Sequence, residues 1–298
     1  MLKRISLLLV FAIGLASCGS GEKKVPFDAN SCKKIPPFYQ KLGFNPQTSG
    51  FSTNERNVMG VVLVDFGTQP IRYYKDETWK NAGWMGPIAI DAGGNAYIGP
   101  APKINVLDNP TEKQNVLYQI DAISGKMNSF IDLPLQAEPN EQNPFGILGL
   151  AYLCSKNVLY VASVMGSDRK NEKGTIYAVD ITNKKVIDQI DNIDAIGLGV
   201  SYVSGYRKLY IGKARSSELF SVSLNEDGSF SGKPKHELSF QGYGPRGDDK
   251  IRKIAFNANH EMEISLIGFN FNLIAPTEKQ ETKSTLIYNQ TEEKWQFK

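Results

Sequence analysis

The chain contains few of the residue types that most enzyme active sites require. Its 298 residues include two histidines, three cysteines and three tryptophans. A histidine-based metal site needs several converging ligands, but His236 and His260 lie in separate repeats of the pattern described below. The sequence also shows no nucleophile elbow of a Ser-His-Asp hydrolase and no Cys-His arrangement of a thiol enzyme. These absences favour binding over catalysis, and no cofactor is expected.

An excess of charge and a second long hydrophobic run are also missing. Without Lys3 and Arg4, there remain 32 basic residues against 31 acidic ones. No basic run with interleaved aromatic residues occurs, so nucleic acid is not expected as a partner. Beyond the first seventeen residues, no segment keeps a helical spacing of apolar residues over twelve or more positions. This pattern predicts an all-β protein.

The N-terminus has the order of a secretory signal. Lys3 and Arg4 precede an apolar core of eleven residues, Ile5 to Leu15, which is too short to span a bilayer comfortably. The segment "LASC" at 15–18 resembles the bacterial lipobox, where the signal is cut before a cysteine that then carries lipid. The resemblance implies that Cys18 anchors the protein to a membrane of the bacterial cell envelope, with the outer membrane expected. The alternative is an ordinary signal peptide that ends by chance at a cysteine.

Export would place the two remaining cysteines in an oxidising compartment. Cys32 and Cys154 could then form a disulfide that ties the N-terminal arm to the body of the protein. The alternative is two separate reduced thiols, because sequence alone gives no distance between them.

Repeated hairpins follow the polar tether. "GPIAIDAGGNAYIG" (86–99) has the glycines of a phosphate loop, but "NAYIGPAP" follows where such a loop needs a helix. The stretch therefore predicts a strand, a tight turn and a strand. Segments 149–162 and 199–212 align with each other without a gap, Gly149 with Gly199, and 253–266 is a diverged copy.

A second hairpin alternates with the first, in segments 61–74, 116–130, 175–190, 218–232 and 285–297. Asp65, Asp121 and Asp180 each end a strand here and are predicted to be turn residues. Inner and outer hairpins alternate about every 45–60 residues. This pattern predicts a β-propeller of four-stranded blades. The predicted blades are 86–134, 146–193, 196–238, 251–298 and a first one from 58–75 with weak strands in 38–53.

Five blades are therefore predicted, with six as the alternative. Small residues are expected where the innermost strands crowd around a central channel, namely Ala89, Ala151, Ser201 and Ala255. Tyr160 and Tyr210 recur at one register and are expected between packed blades. The predicted organisation is a lipoprotein signal peptide (1–17), a lipidated tether (18–35) and one propeller domain (36–298).

"IAIDAGGNAYIG" and "IYAVDITNKKVI" resemble the repeats of the NHL, streptogramin-lyase and gluconolactonase-like propellers. The resemblance implies the fold and, for the gluconolactonase-like enzymes, a divalent metal in the channel held by carboxylate and asparagine ligands. "GWMGP" has Met85 where that pattern would have a glutamate. A metal-dependent lactonase-like hydrolase or lyase is therefore the alternative function rather than the first.

The long connections are expected to share one face of the propeller and to bind the ligand there. They are 99–115, 135–146, 163–174, 241–250 and 268–283. Aromatic residues and arginines are favoured at recognition surfaces, and the candidates are Trp79, Trp84, Tyr243, Phe271, Arg169, Arg215 and Arg246. The predicted function is a lipid-anchored, non-catalytic propeller that binds an envelope protein, a peptide or a glycan on this face. The alternatives are that the loops are merely solvated, as expected of 163–174, and that the aromatic side chains only cap the core.

Overall fold

The computed structural model describes residues 32–55, 58–103, 105–203, 205–273 and 280–298. The predicted signal peptide and Cys18 lie outside these residues, as does most of the predicted tether. The described residues form five antiparallel sheets arranged as a β-propeller, which confirms the predicted all-β fold and the count of five blades.

Four blades have four strands each, in the order in which the chain makes them. The second blade contains β4 (Met85–Ile90), β5 (Ala96–Pro100), β6 (Val116–Ile120) and β7 (Met127–Asp132). The third contains β8 (Ile147–Leu153), β9 (Val158–Ser163), β10 (Thr175–Asp180) and β11 (Lys185–Asp191). The fourth contains β12 (Ala195–Val203), β13 (Tyr206–Lys213), β14 (Glu218–Leu224) and β15 (Phe230–Ser239). The fifth contains β16 (Lys250–Phe256), β17 (Met262–Ile267), β18 (Thr282–Asn289) and β19 (Lys294–Phe297).

The first blade is a three-stranded sheet in the described residues. It contains β1 (Ser49–Ser52), β2 (Val62–Asp65) and β3 (Arg72–Tyr74), and the helical segments are α1 (Phe38–Lys41) and the short 3-10 turns Glu77–Lys80 and Thr111–Lys113. A parallel bridge joins Gly60 to Trp84, so β2 and β4 start side by side in the same direction. Because β1 is antiparallel to β2, it runs opposite to the innermost strand of the next blade.

The aspartates that end strands are turn residues, as predicted. Asp65 Oδ1 accepts the backbone N–H of Gly67 at 2.9 Å, Asp121 Oδ1 that of Ser124 at 2.7 Å and Asp180 Oδ1 that of Thr182 at 2.9 Å. These hydrogen bonds stabilise the charged carboxylates and lower the pKa of all three aspartates. A side chain that replaces a backbone acceptor in this way holds the chain in a tight turn.

The turn lengths divide the propeller into two faces. The turns inside hairpins, such as 91–95 and 121–126, lie on what we call the short-turn face. The described parts of the longer connections, 101–103, 105–115, 133–146, 164–174, 240–249, 268–273 and 280–281, lie on the opposite, long-loop face. This follows because successive strands of each four-stranded sheet are antiparallel.

The predicted register is wrong in the fourth blade by two residues. Ala151 lies opposite Tyr160, whereas Gly199 lies opposite Tyr210, so the counterpart of Ala151 is Gly199 rather than Ser201. The cause is a longer innermost hairpin in this blade, which the gap-free sequence alignment cannot show. A Cβ atom on Gly199 would lie 2.5 Å from Cγ2 of Ile254, so close approach of the fifth blade requires glycine there.

Apolar clusters join each consecutive pair of blades. Tyr160 and Tyr210 are wholly buried, as predicted. Tyr160 donates a hydrogen bond to Gly228 O at 2.6 Å, and Tyr210 accepts one from Trp295 Nε1 at 3.1 Å. Within the described residues, no apolar cluster contains side chains from both the first and the fifth blades.

An N-terminal strap, residues 32–44, crosses the short-turn face. Cys32 and Cys154 form a disulfide with Cα atoms 5.9 Å apart. The backbone N–H of Lys34 then donates to Asp91 O at 3.3 Å, and that of Phe38 donates to Ala122 O at 3.2 Å. The strap thus links the third blade, the second blade and the first blade on one side of the molecule.

We expect Tyr210→Asp to lower the free energy of unfolding by about 3 kcal/mol or more, because it places an unpaired carboxylate between two blades. The matched control is Tyr206→Asp on the same strand, since Tyr206 is 66 % exposed and its replacement should stay within about 0.5 kcal/mol. Urea unfolding of both variants measures the difference. Equal losses in the two variants would contradict the packing of the fourth blade on the fifth.

Candidate functional site

A cavity of about 450 Å³ follows the propeller axis. Its walls come from the innermost strands β1, β4, β8, β12 and β16, and most of the wall is apolar or glycine. Ala89, Ala151 and Ala255 line it, as expected, whereas Ser201 does not. Small side chains leave this space open. The packing between blades keeps the strands from closing into it. This volume lies in the range of small-molecule sites.

A β-bulge recurs near the start of four innermost strands. The register shifts between Met85 and Ile88, Ile147 and Gly149, Ala195 and Gly197, and Ile251 and Lys253. Each bulge leaves extra residues unpaired, and bulges commonly redirect a side chain. The residues at the bulges that line the axis are Pro87, Leu148, Ile196 and Arg252, which we call the bulge collar.

The charged residues that line the cavity are all cationic. They are Lys33 of the strap, Arg252 of the bulge collar and Lys253 beside it. Burial lowers the pKa of Arg252, and the opposite effect of Glu281 is smaller. Burial also lowers the pKa of Lys33, which remains exposed to solvent at the cavity mouth. Lys253 is paired with Glu281 at 3.2 Å, whereas Arg252 lies 3.8 Å from the same carboxylate. Arg252 is therefore the less compensated of the two.

Phenylalanines fill the end of the axis on the long-loop face. Phe145, Phe269 and Phe271 pack with their ring centroids 5.0–5.6 Å apart along the series. The space beneath them, between the bulge collar and these loops, is about 80 Å³. The 450 Å³ cavity lies on the other side, where Lys33, Phe66 and Phe256 surround it. Its mouth therefore opens towards the short-turn face.

Arg215, a candidate ligand-binding residue, instead neutralises a buried carboxylate. Asp194 is wholly buried, and its Oδ2 accepts a hydrogen bond from Arg215 Nε at 2.6 Å. Ser167 Oγ donates to Oδ1 of the same carboxylate at 2.5 Å. Burial raises the pKa of Asp194, while Ser167 and Arg215 act in the opposite direction. Arg215 also lies over the ring of Phe271, 5.0 Å from its centroid.

Arg246 pairs with a buried aspartate of the next blade, but from the connection that precedes that blade. Its Nε donates to Oδ1 of the wholly buried Asp249 at 2.5 Å. Asp194 and Asp249 are each the last residue before an innermost strand, so the same structural pair occurs twice. The two arginines are on the long-loop face, as predicted, but their charges serve the fold.

The other candidates are divided between several parts of the molecule. Trp84 is buried and donates its indole N–H to Asp108 Oδ2 at 3.0 Å. Trp79 is buried in the core of the first two blades and donates to Gly125 O at 2.7 Å. Tyr243 is 40 % exposed and stacks on Phe297 with ring centroids 4.4 Å apart. Arg169 is exposed beside Arg215, which binds its backbone carbonyl.

The structure therefore brings Arg169, Arg215 and Phe271 together but does not assemble one continuous rim. Loop 163–174 also differs from the expected solvated connection. Ser163, Val164 and Ser167 are buried, and Arg215 holds the carbonyl groups of Asp168, Arg169 and Asn171. The part of this loop that is exposed is confined to its middle, so the prediction was wrong for its beginning.

The side chains of the channel also bear on the metal-dependent alternative. Divalent cations require several carboxylate, imidazole or carbonyl ligands. The cavity lining has three cationic side chains and no carboxylate or imidazole, and its uncharged polar side chains are Ser52, Thr53, Asn54 and Tyr152. Within the described ranges, no group of three His, Cys, Asp or Glu side chains could hold a metal ion. His236 is exposed on β15, where its Nε2 lies 2.5 Å from Glu218 Oε2. The donor set of the channel does not fit a catalytic metal.

No protein-family model matches the chain, and no curated protein matches it. Among solved structures, a protein of unknown function from Desulfotomaculum acetoxidans DSM 771 is 12 % identical with a TM-score of 0.46, covering 84 % of this chain and 78 % of that one. A glucose dehydrogenase is 13 % identical with a TM-score of 0.44, covering 78 % and 76 %. A luciferin-regenerating enzyme is 11 % identical with a TM-score of 0.42, covering 70 % and 63 %. Similarity of this degree carries no argument about function, which has to come from the chain's own residues.

No helix among the described residues has the length and apolar character needed to cross a bilayer.

We expect Arg215→Ala to lower the free energy of unfolding by about 3–5 kcal/mol at neutral pH, because it leaves Asp194 buried without a counter-ion. The loss of unfolding free energy should be smaller at about pH 5. Removing the guanidinium raises the folded-state pKa of Asp194 further above its unfolded value, so stability falls as pH rises. Urea unfolding at both pH values tests this.

The control for Arg215→Ala is Arg169→Ala, which removes an exposed cation from the same loop and keeps its backbone carbonyl. This variant should unfold within about 0.5 kcal/mol of the wild type. If both variants kept wild-type stability, Arg215 would be free for a ligand, as the sequence suggested.

Proposed function

We propose that the protein is a non-catalytic binding propeller of the bacterial cell envelope, anchored by a lipid on Cys18, that holds a small ligand in its axial cavity. The observation that carries this proposal is the cavity itself. It has about 450 Å³ of space, a mixed wall of apolar residues, glycine and uncharged polar side chains, and three cationic side chains, without a carboxylate in its lining.

The proposal places binding on the short-turn side rather than on the long-loop face. Supporting this, the long-loop end of the axis is packed with phenylalanines. The arginines predicted to bind there are already paired with buried aspartates. A partner protein, peptide or glycan at the long-loop face remains a prediction, for which Arg169 and Tyr243 are the exposed candidates.

A metal-dependent hydrolase or lyase has less support. Such an enzyme would need carboxylates that converge in the channel, and Lys33, Arg252 and Lys253 would repel a divalent cation there. The donor set supports a binding site for an organic molecule instead.

Blocking the cavity should abolish binding without unfolding the protein. Ala255 is half-buried and lines the cavity, so Ala255→Trp would fill part of the space. The fluorescent probe 8-anilinonaphthalene-1-sulfonate should bind the wild type and lose at least tenfold in affinity with this variant. The control is Ile187→Trp on the exposed outer strand β11. Unchanged probe binding to a folded Ala255→Trp variant would contradict the proposal.

Calcium and chelator distinguish binding from metal-dependent catalysis. Neither millimolar calcium nor EDTA should change the melting temperature, because the cavity offers no carboxylate ligands. A rise of several degrees with calcium that Ala255→Trp removes would favour the hydrolase instead.

We expect Cys18→Ala to release the protein from membranes or to leave the uncleaved precursor in place, because the acceptor of the lipid is lost. Ser20→Ala, two residues later, is the control and should remain lipidated and membrane-bound. Metabolic labelling with a fatty acid and membrane fractionation measure both variants. Normal labelling and retention of the Cys18 variant would contradict lipidation at this position.

A further inference from the structure

The geometry points to an amphiphilic anion as the ligand, with its charged head group bound to Arg252 in the bulge collar and its apolar body along the inner strands. This inference rests on the proposed function and adds the chemical class of the ligand and the residue that selects it.

Arg252 is placed by the fold to face the axis. The register of β16 and β17 pairs Ile251 with Leu266 and Lys253 with Ser265, so Arg252 is the unpaired residue of a bulge. The same position in the two preceding blades carries Leu148 and Ile196. One guanidinium therefore stands among apolar side chains at one level of the axis, and this asymmetry gives a ligand an orientation.

The guanidinium of Arg252 has unused hydrogen-bonding capacity. Its side chain is 30 % exposed, and its ion pair is with Glu281, whose Oε1 lies 3.8 Å from Nη1. That distance exceeds a hydrogen bond, and Oε1 already accepts from Lys253 Nζ at 3.2 Å. Within the described residues, Arg252 donates no side-chain hydrogen bond, although a guanidinium has five donors. A carboxylate can take two of them at once in a planar fork.

The wall next to Arg252 suits an apolar body. Leu148, Leu198, Val200 and Ile254 line the cavity on three neighbouring blades. Leu198, Val200 and Ile254 are 5–8 % exposed, and an apolar chain or ring covers the surface that remains, at about 25 cal/mol per Å². Lys33 adds positive charge at the mouth of the cavity, which favours the approach of an anion.

The opposite end of the cavity excludes a large anion such as a polysaccharide. Phe145, Phe269 and Phe271 close the long-loop side, so the ligand cannot thread through the axis. The site fits one compact molecule with a single charged end.

Octanoate, octanol and octylammonium test the head group, because they share one apolar chain. Isothermal titration should show octanoate bound to the wild type at least tenfold more tightly than the other two. Arg252→Gln should bind octanoate at least tenfold more weakly than the wild type does, and Arg252→Lys should lie between them because it keeps the charge but loses the fork. Lys185→Gln, which removes an exposed cation from the outer strand β11, is the control and should change the affinity by about threefold or less.

Inorganic phosphate tests the apolar body. It should compete with octanoate at least tenfold less well than decanoate does, since it has charge but no chain. Equal competition would overturn the amphiphilic part of the inference.

The outcomes separate this inference from the proposed function. If Arg252→Gln and the wild type bind octanoate equally while Ala255→Trp does not bind it, the cavity is a binding site and the role of Arg252 is wrong. The inference is also wrong if the wild type binds all three eight-carbon probes equally or does not bind octanoate. If Ala255→Trp binds every probe like the wild type, the proposed function fails as well. Circular dichroism of each variant confirms that it is folded before titration.

Discussion

Crowding of the innermost strands around one axis is the constraint on which the rest of the structure depends. Where blades approach most closely, the chain has residues without bulk, as at Gly199, whose Cβ would collide with Ile254. Further out, the sheets diverge and larger residues such as Tyr160 and Tyr210 fill the widening space between them. Bulges occur near the start of four innermost strands, and residues at these bulges line the axis.

Buried charge is handled differently at the two ends of the axis. On the long-loop side, Asp194 and Asp249 each have an arginine within hydrogen-bond distance, so the charges are compensated inside the protein. Around the cavity, Arg252 and Lys33 have no comparable partner among the described residues. Each of these buried carboxylates is paired with an arginine, although Oδ2 of Asp249 has no hydrogen-bond partner among the described residues. The cations at the cavity, in contrast, face open space. That contrast is why the ligand site is assigned to the cavity rather than to the loops.

The repeating features of the fold could be predicted from the sequence, and the features that depend on distant contacts could not. Tyr160 and Tyr210 recur at one spacing, and Asp65, Asp121 and Asp180 end strands with turn residues behind them, so blades and turns were predictable. In the sequence, Arg252 is indistinguishable from an ordinary polar residue of a strand. The position of a bulge cannot be predicted from the types of residue around it. Arg215 was interpreted as a ligand-binding residue since its partner Asp194 is 21 positions away and its burial depends on the fold. The first blade was predicted only weakly because its strands are short and its innermost strand runs in the opposite direction.

The disulfide between Cys32 and Cys154 also determines the side of the propeller to which the N-terminal strap is attached. It fixes the strap to the short-turn face, so the chain towards Cys18 departs from the side that carries the mouth of the cavity. Thirteen residues lie between Cys18 and Cys32, and a chain of that length spans at most about 50 Å. If Cys18 carries a lipid, as proposed, a chain of this length lets the mouth of the cavity turn towards the bilayer surface. An amphiphile leaving the membrane would then meet the open end of the axis first.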